Sequence, residues 1–220
     1  MSFLNTPPAN EEDKSELENL LETGDLPEDP IPARLMGNKV LVFNKVHGSL
    51  LYGFKRFYGT PVGIRKPKSH IFDNPLELTV YEAYYLLHKG IITLYKLVGE
   101  KNPETLSENQ SEPVSLEEFK EIIEVGFPQF DAKYAIYEDL REKKYVPRPG
   151  QKFGADFIVY EKGPGLGHSS FCIKVRSGNS AKITSLDVVT AGRLATSVRK
   201  NFMLANPNTK TYYKFKWFKP

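Results

Sequence analysis

The sequence predicts an α+β protein of two small mixed domains, an N-terminal α/β domain followed by a C-terminal mixed sheet with flanking helices. Three observations point there. In the stretch from Lys152 to Tyr160, Phe153, Ala155, Phe157 and Val159 alternate with Gly154, Asp156, Ile158 and Tyr160, the period of a half-buried strand. From Ser185 onward, Val188, Ala191, Ala195, Val198 and Phe202 recur at three- and four-residue intervals, the period of an amphipathic helix. Between the halves, Glu100 to Pro113 is polar, holds Pro103 and Asn109 and has no apolar period, so it reads as a linker. The expected organisation is an extension at 1–30, a domain at 31–99, a linker at 100–114 and a second domain at 115–220. With 220 residues in all, each half has chain enough for its own core.

Residues 1–30 are acidic, contain Pro7, Pro8, Pro27 and Pro30, and offer only a short apolar pattern around Leu17, Leu20 and Leu21. They read as a mobile extension with a helical turn or two. It either has no specific role or screens a basic surface elsewhere in the chain. From Ala33 to Asn44 two short strands are broken at Gly37-Asn38, a hairpin signal. A helix from Val46 to Phe57 follows, then a helix from Tyr81 to Lys89 ended by Gly90, then a strand from Ile91 to Val98. Within GTPVGIRKPKSH, Gly59, Pro61, Gly63 and Pro67 disfavour helix and strand, which predicts an exposed basic loop at 59–73.

In the second half, Ser115 with Glu118 forms a capping-box signature opening a short helix through Phe119, Ile122 and Ile123. A further helix from Phe130 to Lys144 sets Phe130, Tyr134, Tyr137 and Leu140 on one face, and its Arg141, Lys143 and Lys144 suit a helix C-terminus as well as they suit RNA contact. The loop GPGLG reverses the chain after Tyr160, His168 follows it, and Phe171 to Arg176 is a second strand. Asn206 to Asn208 makes a turn before an aromatic-rich closing strand, Thr211 to Phe218.

Charge narrows the class of partner. The formal net charge is +3, yet residues 1–30 hold nine acids against one lysine, so residues 31–220 carry 18 acids against 29 bases and a net +11. That excess suits a nucleic-acid partner. From Ile31 to Phe72 there is no acid, and Arg34, Lys39, Lys45, Lys55, Arg56, Arg65, Lys66 and Lys68 are basic. From Val188 to Pro220 there are seven lysines and arginines and no acid. The single cysteine, Cys172, excludes an internal disulfide and a cysteine-based zinc site, and its mid-strand position reads as a small buried apolar residue. No apolar run is long enough to span a bilayer and the N-terminus lacks a signal-peptide pattern, so a soluble, cytoplasmic protein is expected.

Tyr160, His168 and Lys200 carry the candidate chemistry, delivered from a strand, a loop and a helix. Cleaving RNA without a metal needs a base for the 2′-hydroxyl, an acid for the leaving 5′-oxygen and a cation for charge gathering on phosphorus. Tyrosine, histidine and lysine fill these roles in that order, provided neighbouring cations make the phenol acidic enough to act as a base.

RPGQKFGADFIVYEKG, GHSS and RLATSVRK together resemble the C-terminal catalytic domain of archaeal-type tRNA-splicing endonucleases, and LELTVYEAYYLLHKGIITL resembles their N-terminal domain. The resemblance implies cleavage of precursor tRNA at bulge-helix-bulge exon–intron junctions. It assigns Tyr160, His168 and Lys200 as general base, general acid and transition-state lysine, with 2′,3′-cyclic phosphate and 5′-hydroxyl products and no cofactor or metal. It further implies that Arg193 and Trp217 sandwich an extruded bulge base, and that Arg65, Lys66 and Lys68 sit on an RNA-touching loop. In that family an acidic loop near the C-terminus joins two dimers. This chain has ANPNTKT there, without a carboxylate, so a second, noncatalytic subunit is expected to supply the charge in a two-plus-two heterotetramer, with a homotetramer as the alternative. A noncatalytic structural subunit and a general RNA-binding module are the competing functional readings.

Overall fold

The computed structural model describes residues 19–65, 67–97, 111–176, 184–186, 189, 192 and 201–215. The chain divides into two compact units, Met1–Phe119 and Lys120–Pro220, and each contains one sheet.

In the first unit, β1 (Ile31–Met36) and β2 (Lys39–Val42) form the expected hairpin, with Met36 opposite Lys39 and Gly37 turning through a φ of +64°. Helix α1 (Lys45–Tyr52) starts where the Asn44 side chain accepts the N–H groups of Val46 and His47 at 2.9 and 3.1 Å. The helix stops at Tyr52, short of the expected Phe57, because Gly53 leaves helical geometry and Phe54, Lys55 and Phe57 take positive φ of 52°, 65° and 52°. Packing compensates this strain. Tyr52 meets Phe57 and Phe72 edge-on, with ring centroids 5.7 and 5.8 Å apart.

The loop expected from 59 to 73 begins instead as a short edge strand, β3 (Thr60–Pro61), paired with β4 (Leu76–Leu78). Proline is tolerated because an edge position asks less of its missing N–H. Helix α2 (Val80–His88), strand β5 (Ile92–Leu97) and strand β6 (Ser111–Val114) complete a sheet ordered β3-β4-β2-β1-β5-β6, with β1 and β5 parallel. Residues 111–114, expected within the linker, are therefore sheet. Pro113 obscured them in the sequence, and β6 is also an edge strand.

The extension is not free along its whole length. Asn19–Thr23 are helical, Gly24 is buried, and Arg56 Nη2 donates to the Gly24 carbonyl at 2.7 Å. The helical turn at Asn19–Thr23 is of the kind expected for the extension, and the Arg56 contact fastens its end to the first unit; residues 1–18 lie outside the description.

Helix α3 (Leu116–Gly126) opens with Ser115 Oγ accepting the Glu118 N–H at 3.1 Å, as the capping-box signature predicts, and the unit boundary falls inside it. The second unit continues with α4 (Phe130–Glu142), β7 (Val146–Pro149), β8 (Phe157–Tyr160), β9 (Phe171–Val175), β10 (Asn201–Asn206) and β11 (Thr211–Phe215). The sheet runs β11-β10-β9-β8-β7, with β9 and β10 parallel and the other pairs antiparallel. Ile158, Cys172, Phe202 and Phe215 lie in one cross-strand row, and Cys172 is 1% exposed. Tyr137 of α4 packs on Phe157, ring centroids 6.1 Å apart.

Two expectations change here. The strand read from Lys152 begins only at Phe157, because Gln151–Phe153 is a 3-10 turn closed by Gly154 at φ +66°. A Cβ on Gly150 would stand 2.8 Å from the Phe157 backbone, so the turn is folded tightly against the strand. Phe202, read as the last residue of a helical stripe, is buried in β10. Ser185, Leu186, Val189 and Gly192 are helical, whereas Val188, Ala191, Ala195 and Val198 lie outside the described residues.

Glu82 is 1% exposed and joins two elements of the first unit. It accepts the Thr79 N–H at 2.8 Å, completing a capping box with Thr79, and the Gly59 N–H at 3.0 Å. Replacing Glu82 by Ala removes the carboxylate that accepts both N–H groups and is expected to cost about 2–4 kcal/mol. Urea denaturation checks this, with a lower midpoint at unchanged slope as the outcome.

Candidate active site

The second sheet brings three chain segments to one end. β8 runs antiparallel to β9, so Tyr160, its last residue, lies at the end where β9 begins. β10 runs parallel to β9 and pairs Asn201 with Phe171, so it begins at that end too. Tyr160 is half-buried and follows the pleat: Phe157 and Val159 are buried, Ile158 and Tyr160 partly so, and the tyrosine shares a face with Ile158 rather than with the side packed on α4.

The chain leaves β8 after Tyr160, turns through Gly163 and Gly165 at φ of 102° and 86°, and returns where the Ser170 N–H donates to the Val159 carbonyl at 2.8 Å. His168 is exposed on this returning stretch, next to the buried Ser169. Lys200 is the residue before Asn201 in the sequence and lies outside the described residues, as do Arg193, Trp217 and Lys66. Tyr160 and His168 are therefore brought to the sheet end where β10 starts.

Asp156 fixes the platform beneath. Its carboxylate accepts the Val175 N–H at 2.8 Å and pairs with Lys133 of α4 at 3.1 Å, while its own N–H donates to the Ile173 carbonyl at 2.9 Å. One side chain thus holds the turn before β8, the far end of β9 and helix α4 in fixed relation.

Residues 31–106 match the family described as tRNA intron endonuclease, N-terminal domain, and residues 130–214 match tRNA intron endonuclease, catalytic C-terminal domain. Curated relatives agree over nearly their full length. The chain is 39% identical over 194 residues to a tRNA-splicing endonuclease of Hyperthermus butylicus, covering 86% of this chain and 99% of that protein. The chain belongs to the tRNA intron endonuclease family. Similar proteins named tRNA-splicing endonuclease from Saccharolobus islandicus, 39% identical over 194 residues, and Saccharolobus solfataricus, 36% identical over 197, are matched over the same shares of each chain.

In this endonuclease the basic stretch of the first unit is less free than its composition suggests. Lys39 pairs with Glu77 at 3.0 Å and Lys45 with Asp73 at 3.2 Å, both acids lying just past the acid-free run. Arg34 stands over the Phe43 ring at 5.7 Å, and Arg56 is held by backbone carbonyls. Lys55, Arg65 and Lys68 are exposed and make no ion pair among the described residues.

Sequence reasoning missed a tether in the catalytic unit. Tyr212 of β11 donates to Asp139 of α4, Lys143 pairs with the same carboxylate at 2.7 Å, and the Lys143 ammonium stands 5.0 Å from the Tyr212 ring centroid. Only the i,i+4 spacing of Asp139 and Lys143 was visible beforehand. Arg141, for its part, donates to the Tyr137 hydroxyl at 2.9 Å. Burial first, then the Asp139 carboxylate, holds the Tyr212 phenol well above the usual tyrosine range, so it is a donor here and not a base.

Because the folded state keeps this proton and the unfolded chain releases it near pH 10, the stabilisation is complete below about pH 10 and fades as pH rises beyond it. Tyr212→Phe is expected to remove that part of the alkaline loss. Asp139→Ala, which leaves the hydroxyl and Lys143 without their acceptor, should cost about 1–3 kcal/mol at neutral pH. Thermal unfolding followed across pH 7 to 11 checks both.

Proposed function

We propose that this endonuclease cuts intron-containing precursor tRNA at the bulge-helix-bulge exon–intron junctions, by attack of a 2′-hydroxyl on the adjacent phosphorus. Tyr160 takes the 2′-hydroxyl proton as the O2′–P bond forms, and His168 gives a proton to the 5′-oxygen as the P–O5′ bond breaks. Lys200 stabilises the charge on the phosphorane oxygens. The products are a 2′,3′-cyclic phosphate and a 5′-hydroxyl. Base, acid and cation then all come from the protein, so the reaction needs no metal or cofactor.

The observation that carries this reading is the meeting of strand ends in the catalytic unit: the carboxyl end of β8 at Tyr160, the approach to β9 at His168 and the amino end of β10 at Asn201, next after Lys200. Arg193 and Trp217 would grip a bulge base by stacking, a contact worth about 1–3 kcal/mol. Arg65, Lys66 and Lys68 would contribute phosphate contacts. The proposed setting is the cytoplasm.

A second subunit completes the assembly in this reading. The turn Pro207–Lys210 joins β10 to β11, Lys210 is exposed at φ +50°, and no Asp or Glu occurs from Val188 to Pro220. A noncatalytic partner would supply the missing acid, giving two copies of each chain.

Tyr160→Phe, His168→Ala and Lys200→Ala are each expected to slow single-turnover cleavage by about 10²–10⁴-fold, with precursor tRNA binding little changed. Wild-type cleavage should persist in excess chelator and yield cyclic-phosphate ends. Three variants cutting at the parental rate would rule the assignment out. Light scattering of the purified chain should show no stable, active tetramer until an acidic-loop partner is added; an active homotetramer would refute the two-subunit reading.

A further inference from the structure

Within the described part of the acidic extension, residues 19–30, the segment Asn19–Asp25 is built into the first unit by a lock with specific chemistry. Asn19–Thr23 form a helical turn and the Gly24 N–H donates to the Leu20 carbonyl at 2.8 Å. Gly24 then takes a φ of +78°, and a Cβ there would stand 2.2 Å from Phe54 Cδ1, so no other residue fits without displacing the ring. The Gly24 carbonyl accepts from Arg56, whose guanidinium also donates to the Leu50 carbonyl at 3.1 Å and lies 5.8 Å from the Phe54 ring centroid.

Phe54 has a second neighbour. The His70 ring meets it edge-on with centroids 5.0 Å apart, and His70 closes the loop that carries the exposed Arg65 and Lys68. One aromatic ring, held in a strained turn, thus contacts both the acidic segment and the end of the basic loop. Glu22 and Asp25 flank the lock and are exposed, and the Asp25 carboxylate is among the charges felt by Arg56. Five further acids precede them at residues 11–18. The family's N-terminal domain begins at residue 31, downstream of this device.

We infer that the docked extension is an intramolecular electrostatic guard, which competes with RNA phosphate for the exposed cations on either side of the Phe54–His70 contact, Lys55 next to Phe54 and Arg65 and Lys68 in the loop that His70 closes. The inference rests on the RNA-cleaving reading above and adds to it a source of discrimination. Tethering gives the acidic segment a high effective concentration, so even weak pairing counts. An RNA that offers phosphates alone must displace the guard. A substrate that also engages the catalytic unit offsets that loss, which turns the guard into a penalty on the wrong partner.

The test uses full-length protein, a labelled mixed-sequence single-stranded RNA and intron-containing precursor tRNA. Gly24→Val opens the lock and keeps every charge, while the double change Glu22→Gln and Asp25→Asn keeps the lock and removes two charges. Both are expected to tighten binding of the mixed-sequence RNA by about 3–10-fold at low salt, with the gain vanishing at high salt where charges are screened. Unchanged affinity at low salt in the charge-neutral pair, with an unaltered melting profile, overturns the inference; that pair also decides the matter if Gly24→Val does not fold. Precursor tRNA cleavage by the unaltered chain is scored separately, so failure there discredits the substrate reading while the affinity comparison still stands or falls alone.

Discussion

The catalytic unit depends on strand β9. It is paired on both sides, and four of its five residues, Phe171, Cys172, Ile173 and Val175, are buried, so neither face is open to solvent. A strand so enclosed has one register that keeps its apolar side chains covered, since a slip by a single residue would turn each to the opposite face. Its antiparallel partner delivers Tyr160 to its amino end. Its parallel partner must return through a crossover before it can start at that same end. The parallel pairing of β9 and β10 thus sets Asn201, the first residue of β10, at the same end of the sheet as Tyr160.

Much of this was legible because it rests on local chemistry. The Gly37-Asn38 hairpin, the Ser115 cap and the orientation of Tyr160 away from Phe157 and Val159 each follow from short-range signals, and the structure shows all three. What escaped depends on partners distant in sequence. Phe202 fits a helical stripe by spacing alone, but its burial with Cys172 in the sheet decides its conformation. Ser111–Val114 reads as polar linker because an edge strand with a proline has few apolar side chains to announce it. The Tyr212–Asp139 tether joins residues 73 apart, and nothing in either neighbourhood predicts it. Of the proposed site residues, Tyr160, His168, Arg65 and Lys68 are described, whereas Lys200, Arg193, Trp217 and Lys66 fall outside.

Charge shows the same lesson in the first unit. Counting bases in the acid-free run from Ile31 to Phe72 overstates the field available to a polyanion. The chain supplies Asp73 and Glu77 immediately afterwards, and they pair with Lys45 and Lys39. Arg56 is spent on carbonyl oxygens in a part-buried setting. Among the described residues, what remains exposed without an ion pair is Lys55, beside Phe54, and Arg65 and Lys68 in the loop before His70. Composition identifies the class of partner; only the fold shows which cations are available to meet it.

Cys172 has a use unconnected with the chemistry of RNA. It is the only cysteine in the chain and sits in the middle of β9, closed off by Ala155, Phe202 and Leu204. A thiol reagent cannot reach it while the sheet is intact, so the labelling rate of the unmodified protein reports how often that sheet opens. The molecule already contains a reporter of its own breathing, placed in the strand that orders the whole unit.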